Sequence, residues 1–199
     1  MTVINELKKH APFTLFGAFT GIIIMLFFYR FPNELSYNIF YILHPLHVLL
    51  SALVTVSMYK LYVRKIVSLW VVILIGYLGS VGIATLSDSV IPYLGEMLLS
   101  LPHREIHLGF IEKWWLINPL AFIGIAIACF KPATKLPHFV HVLLSTWASL
   151  FHILMALAGT ITWISTLVIF IFLFLAVWLP CCLSDIIFPL LFVREDGHA

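Results

Sequence analysis

Long apolar stretches separated by short polar punctuation dominate this chain. Six of them come close to the twenty or so residues that a helix needs to cross a hydrocarbon layer about 30 Å thick. They cover residues 12–29, 39–59, 66–85, 114–130, 137–157 and 161–183, and the third runs on through Leu86, Ser87 and Asp88 towards Pro92. Charge or proline closes them: Arg30 and Pro32 after the first, Lys60, Arg64 and Lys65 after the second, Lys131 and Pro132 after the fourth. The pattern predicts six transmembrane helices. Residues 2–10 are short and polar and no small-residue cleavage site follows, so the first run is expected to be a retained span rather than a signal peptide.

Composition agrees with the pattern and removes the alternatives. Of 199 residues, 62% are apolar and only 10% charged, where a soluble domain carries about 25% charged residues. That surface cannot belong to an ordinary cytosolic enzyme, a disordered chain or a nucleic-acid binder. Three cysteines, Cys129, Cys181 and Cys182, are too few and too apolar in setting for a disulfide framework. Lys and Arg then give direction. Eight fall on the side that holds both termini and the loops after the second and fourth spans, and three (Arg30, Arg104, Lys113) on the other. Both termini are thus expected in the cytoplasm, in a cell's inner (plasma) membrane. Residues 95–112, with Glu96, His103, Arg104, Glu105, His107 and Glu112, read as an external segment.

Rare polar residues recur at a fixed spacing. The second span starts with the eight residues HPLHVLLS from His44 to Ser51, and the fifth starts with HFVHVLLS from His138 to Ser145. The third span ends LSDSVIPYL around Asp88 and Pro92, and the sixth ends LSDIIFPLL around Asp185 and Pro189. Besides Leu and Val, the shared residues are His, Ser, Asp and Pro, which chance rarely matches in so apolar a chain. Two units of three spans, 1–102 and 103–199, must cross the membrane in opposite senses. The predicted fold is therefore an all-α membrane domain of two inverted three-helix repeats. With spans counted from the apolar boundaries, the His–His–Asp sets near the two faces should lie roughly 15–20 Å apart.

The chemistry follows from those residues. Two histidines three apart on a helix point about 60° apart and can reach one point. His44, His47 and Asp88 then form one candidate metal set, and His138, His141 and Asp185 another, suited to Zn, Mn, Fe, Co or Ni ions. Carboxylates at such depth are functional hypotheses by default. Ser51, Thr55, Ser145, Ser149 and His152 continue a polar stripe along the second and fifth spans, a candidate pathway for an ion or proton. Cys181 and Cys182, beside Pro180, read as packing residues.

These residues support a transporter or channel for a divalent transition-metal cation, partnered by the bilayer, the ion and protons. Either one chain encloses the path or a homodimer lines it. Small LysE-type exporters with three-plus-three repeats are similar in architecture, without shared motifs. A second reading is a haem protein with His138 and His152 as axial ligands at two depths. The stretch Leu136-Pro-His-Phe-Val, with a histidine further along, resembles the ligand helix of ferric-reductase-like membrane domains over about 20 residues. The third is an intramembrane metal-dependent hydrolase, which gains if the two His–His–Asp sets converge.

Overall fold

The computed structural model describes residues 3–63, 68–133, 135–157, 161–183 and 187–192. Six long helices carry them: α1 (Val3–Phe28), α2 (Asn33–Tyr62), α3 (Leu69–Leu98), α4 (Trp114–Phe130), α5 (Lys135–Ala156) and α6 (Trp163–Cys182). No strand occurs among the described residues. Five helices are long and apolar enough to cross a membrane, while α4, at 17 residues, is a shorter apolar helix. Phe13, Phe16, Phe19, Leu26, Phe27, Trp70, Phe130, Trp163 and Ile164 point outward and exposed. An apolar perimeter of that extent needs lipid rather than water as its neighbour.

Helix ends follow local chemistry. Pro32, extended at φ −58° and ψ 142°, leads into α2, and Val63 leaves it in an extended conformation. At the start of α6, the Thr162 Oγ1 accepts from the Ser165 N–H at 3.1 Å while the Ser165 Oγ accepts from the Thr162 N–H at 2.8 Å, a reciprocal cap. The Lys60 ammonium reaches from α2 to the carbonyls of Ala128 and Cys129, capping the end of α4.

Two of the helices begin before the apolar run suggests. α1 starts nine residues ahead of the expected span, so His10 lies within it, and α2 begins at Asn33 instead of residue 39. The largest difference is in α3, which passes Pro92 and continues to Leu98. Glu96, expected in an external loop, is a fully buried helix residue.

α2 and α5 form the centre, with 67% and 72% of their apolar windows buried against 28% in α1 and 33% in α6. They run antiparallel: Phe40 meets His152 near one end and His47 meets His141 further in. α1, α3, α4 and α6 pack around this pair.

Small residues allow the close approach. A Cβ built on Gly124 of α4 would collide with the backbone carbonyl oxygen of Leu49 and come within 2.9 Å of the Ala52 Cβ. On Gly76 of α3 it would lie 2.5 Å from Val56 and 2.7 Å from Ile125. Three helices therefore meet at two glycines, Gly124 against the α2 backbone and Gly76 against the side chains of Val56 and Ile125. A Cβ on Gly82 would meet nothing within 4 Å among the described residues. Gly124→Ala is expected to destabilise the fold by about 1–3 kcal/mol, because a carbonyl cannot rotate away as a side chain would. Gly82→Ala should be neutral or mildly stabilising. Unfolding of the two variants in detergent micelles measures the difference.

Candidate functional site

At the centre of the bundle one carboxylate gathers four donors. Asp88 Oδ2 lies 2.8 Å from His44 Nδ1 and 2.7 Å from His47 Nδ1. Its Oδ1 accepts from the hydroxyls of Ser87 at 2.6 Å and Ser145 at 2.7 Å. All five residues are essentially inaccessible. A carboxylate offers about four lone-pair directions, so Asp88 is saturated by its own protein. With the carboxylate accepting, both imidazoles present Nδ1–H to it and carry their lone pairs on Nε2. This is the arrangement in which a carboxylate orients a metal-binding histidine from behind.

The backbone of α3 is shaped to deliver that aspartate. Two π-helical turns, Leu78–Gly82 and Leu86–Val90, interrupt it, and Asp88 sits in the second. In that register the Ile91 N–H reaches the Leu86 carbonyl, five residues back. The next such bond would join residue 92 to Ser87, and proline has no N–H to give. Ser149 of α5 stands where that donor would be, its hydroxyl lying 2.9 Å from the Ser87 carbonyl oxygen and 2.8 Å from the Ser145 carbonyl of its own helix, so its one proton is shared between the two. Pro92, the π turn and the α5 hydroxyls thus form one device, which lets α3 pass the proline unbroken while presenting Asp88 inward.

A second group touches the first. The His47 ring stacks on His141 at 5.6 Å between centroids and 13° between planes. Ligand atoms of His47, His141 and Cys181 lie within 4.8 Å of one another, as do those of His44, His47 and Asp88. His47 belongs to both groups. Beyond His141 the rings continue, with His138 edge-on at 5.0 Å and His10 of α1 edge-on to His138 at 4.3 Å.

In the other direction Phe40 bridges to a further acid–imidazole pair. It stacks on His44 at 5.2 Å and meets His152 edge-on at 5.5 Å. His152 Nδ1 lies 2.7 Å from Glu96 Oε1, with both residues buried, and Glu96 Oε2 has no hydrogen-bond partner among the described residues. The His107 N–H approaches His152 Nε2 at 3.4 Å. His107 Nδ1 in turn lies 3.1 Å from Glu112 Oε2, to which Tyr41 also donates, and Glu112 Oε1 accepts from the Leu108 N–H at 3.0 Å. The Lys113 ammonium sits over the rings of Tyr37 and Tyr41.

Burial raises the affinity of Glu112 for its proton. The hydrogen bonds from Tyr41 and His107, the charge of His107 and the Leu108 N–H outweigh that effect and hold the carboxyl below its ordinary 4.5.

The structure brings His44, His47 and Asp88 together and sets His141 beside them. His138 packs on His141, while Asp185 lies outside the described residues. The expected 15–20 Å between the two sets does not hold for His47 and His141. His47 is fourteen residues from the start of α2 and His141 fifteen from the end of α5, so in an antiparallel pair both stand at one depth, about 21–23 Å along. The apolar boundary at residue 39 concealed this. Asp88, expected as a ligand, accepts from both imidazoles and both hydroxyls, and its carboxylate lies within 4.8 Å of the His44 and His47 nitrogens in a group that could hold a metal. Among the stripe residues, Ser145 and Ser149 serve Asp88 and Ser87, Ser51 and Thr55 are buried in α2 with Thr55 against Gly79, and His152 has both nitrogens engaged.

Three contributors were missed. Glu96 lies eight residues after Asp88, hence on the same helical face, a signal hidden by ending the span at Pro92. His107, read as solvated, is buried against His152 and Glu112. Cys181, read as packing, stands beside two imidazoles. No family model matches the chain, and no curated protein or solved structure does.

Removing the saturated carboxylate should be costly. Asp88→Ala leaves two imidazoles and two hydroxyls without their shared acceptor, an expected loss of about 3–5 kcal/mol, against about 1 kcal/mol for Ser87→Ala. Denaturation in detergent compares them. The Glu112 contact predicts a pH dependence: its contribution is present above pH 4.5 and is lost as the pH falls below that value and the carboxylate protonates. Protection from hydrogen exchange over residues 104–112, relative to the intrinsic rate at each pH, should fall on acidification in the wild type, whereas Glu112→Gln should be poorly protected throughout.

Proposed function

We propose that this chain is a membrane transporter or channel for a divalent transition-metal cation. The observation that carries the reading is the file of imidazole and carboxylate through the centre of the bundle, from His10 and the half-buried His138 through the buried His141, His47, Asp88 and His44, then across the Phe40 ring to the buried His152 and Glu96, and out by His107 to the exposed Glu112. Side chains of this kind are expensive inside a membrane and mark ion or proton routes. Neutral imidazoles exchange one ion for the next, and Asp88 and Glu96 offset its charge where water is excluded. Ligands that must lose protons to bind a metal link its movement to proton movement in the other direction.

In this reading the chain crosses the membrane six times with both termini cytoplasmic, and units 1–102 and 103–199 are inverted copies. Packing supports the duplication. α2 packs on α4 as α5 packs on α1, and α1 packs on α6 as α3 packs on α4. The repeat relates Ser149 to Thr55, Pro92 to Pro189 and Asp88 to Asp185. One chain encloses the whole file, so a homodimer is not required.

An intramembrane metal-dependent hydrolase is the second reading, favoured by the convergence of His44, His47, Asp88, His141 and the Ser145 hydroxyl on one buried centre. Uptake of Zn²⁺ or Mn²⁺ into proteoliposomes separates the two. Transport predicts flux that falls at least tenfold in Asp88→Asn and in Asp185→Asn and is unchanged in Cys129→Ser. Turnover of bilayer lipid without ion flux would establish the hydrolase in its place.

A further inference from the structure

The two imidazoles on Asp88 have different prospects as ligands. A Cβ built on Gly109 would lie 2.8 Å from His44 Cδ2 and 2.9 Å from His44 Nε2, so the backbone at Gly109 covers the lone-pair edge of that ring. His47 is held from behind by the same carboxylate oxygen, but its ring lies against His141, and Cys181 closes the group. All three residues are buried.

We infer that His47, His141 and Cys181 form the seat of a Zn²⁺-class dication, with Asp88 as its buried counter-charge acting through His47. The proposal deepens the transport reading and rests on it for the seat's role, while equilibrium binding alone tests whether the seat exists.

Three arguments lead there. The first is distance. Zinc holds imidazole nitrogen at about 2.0–2.1 Å and thiolate at about 2.3 Å, which spaces tetrahedral ligand atoms roughly 3.4–3.7 Å apart. The ligand atoms here lie within 4.8 Å of one another, so closure requires about an ångström of side-chain adjustment. Pro180 precedes Cys181 and removes a backbone hydrogen bond from that turn of α6.

Charge is the second. On binding, the Cys181 thiol loses its proton, which leaves the bundle for solvent, and the sulfur–metal bond forms on the thiolate. One thiolate and the Asp88 carboxylate together cancel a dication, leaving the buried site neutral. A set of His44, His47 and Asp88 would instead retain a positive charge in an apolar bundle, and would draw on a carboxylate whose lone pairs are already engaged.

Ligand type is the third. Two imidazoles and a thiolate suit Zn²⁺ and Co²⁺ and disfavour the harder Mn²⁺, Mg²⁺ and Ca²⁺. Three protein ligands leave a fourth position open to water or to the next donor in the file.

Co²⁺ reports on such a site directly, because a thiolate ligand gives a sulfur-to-cobalt charge-transfer band and tetrahedral geometry gives intense ligand-field bands. Full-length protein in detergent, titrated with Co²⁺, should show both with one ion per chain, and Zn²⁺ should bleach them. Cys181→Ser should abolish the charge-transfer band and weaken binding at least tenfold, while Cys129→Ser keeps both. Asp88→Asn should keep the band but weaken binding by about 10–100-fold, as loss of an orienting partner does. The wild-type spectrum alone is decisive if a variant fails to fold. Absence of saturable Co²⁺ binding, binding without the thiolate band, or a band that survives Cys181→Ser overturns the proposal. Ion flux unaffected by Cys181→Ser would sink the seat's role while leaving transport standing; an intact band without flux would sink transport, and the role with it, while leaving the seat itself in place.

Discussion

A single carboxylate buried in an apolar bundle sets the terms for the rest of this structure. Left bare, Asp88 would cost several kilocalories in any medium that cannot solvate it. The fold answers with two imidazoles from α2, a hydroxyl from its own helix and another from α5. Those donors come from three helices, so saturating one group also fixes how α2, α3 and α5 sit against one another. Lipid cannot repair a missing donor, which is why the network admits so little slack. Ser149 illustrates the same logic on the backbone, standing where the N–H that Pro92 withholds from Ser87 would be.

Close packing is what brings such short side chains within reach. Serine hydroxyls extend little beyond the backbone, so α3 and α5 must approach nearly to contact for Ser145 and Ser149 to serve α3. Gly76 and Gly124 permit the corresponding approach among α2, α3 and α4. The apolar residues contribute bulk on the outside, in Phe, Leu and Trp facing lipid. In the interior the helices are joined by small and polar groups, as expected where burial of apolar surface offers little preference for protein over acyl chains.

Much of the helical layout was legible because apolar run length is a direct image of membrane thickness. α4 follows its run at both ends, and α5 and α6 agree within a residue or two. The pairing of His44, His47 and Asp88 was legible too, since i,i+3 spacing and a recurring Asp are local features of the sequence. Depth was not. Helices extend past their apolar runs where polar residues find partners inside the protein, as Glu96 does with His152 and as Tyr37 in the first turns of α2 does against Tyr41 and His107. Hydropathy cannot distinguish a polar residue facing water from one facing a buried partner. The contact of Cys181 with His47 and His141 depends on how two antiparallel helices register, information that no single helix contains.

That register also explains why two chemically similar histidines on one oxygen end in different surroundings. Asp88 Oδ2 holds both Nδ1 atoms, so each ring can vary only by rotating about that shared anchor, and each Nε2 must face away from it. On the His44 side the chain folds back as Gly109–Glu112, and the absence of a side chain at Gly109 lets the backbone settle against the ring. On the His47 side α5 and α6 supply a second imidazole and a thiol. Larger residues at position 109 would press on the His44 ring, which the carboxylate holds from the other side. The asymmetry is therefore fixed by what each neighbouring helix places opposite Nε2, and the carboxylate makes the outcome sharp by denying both rings any other orientation.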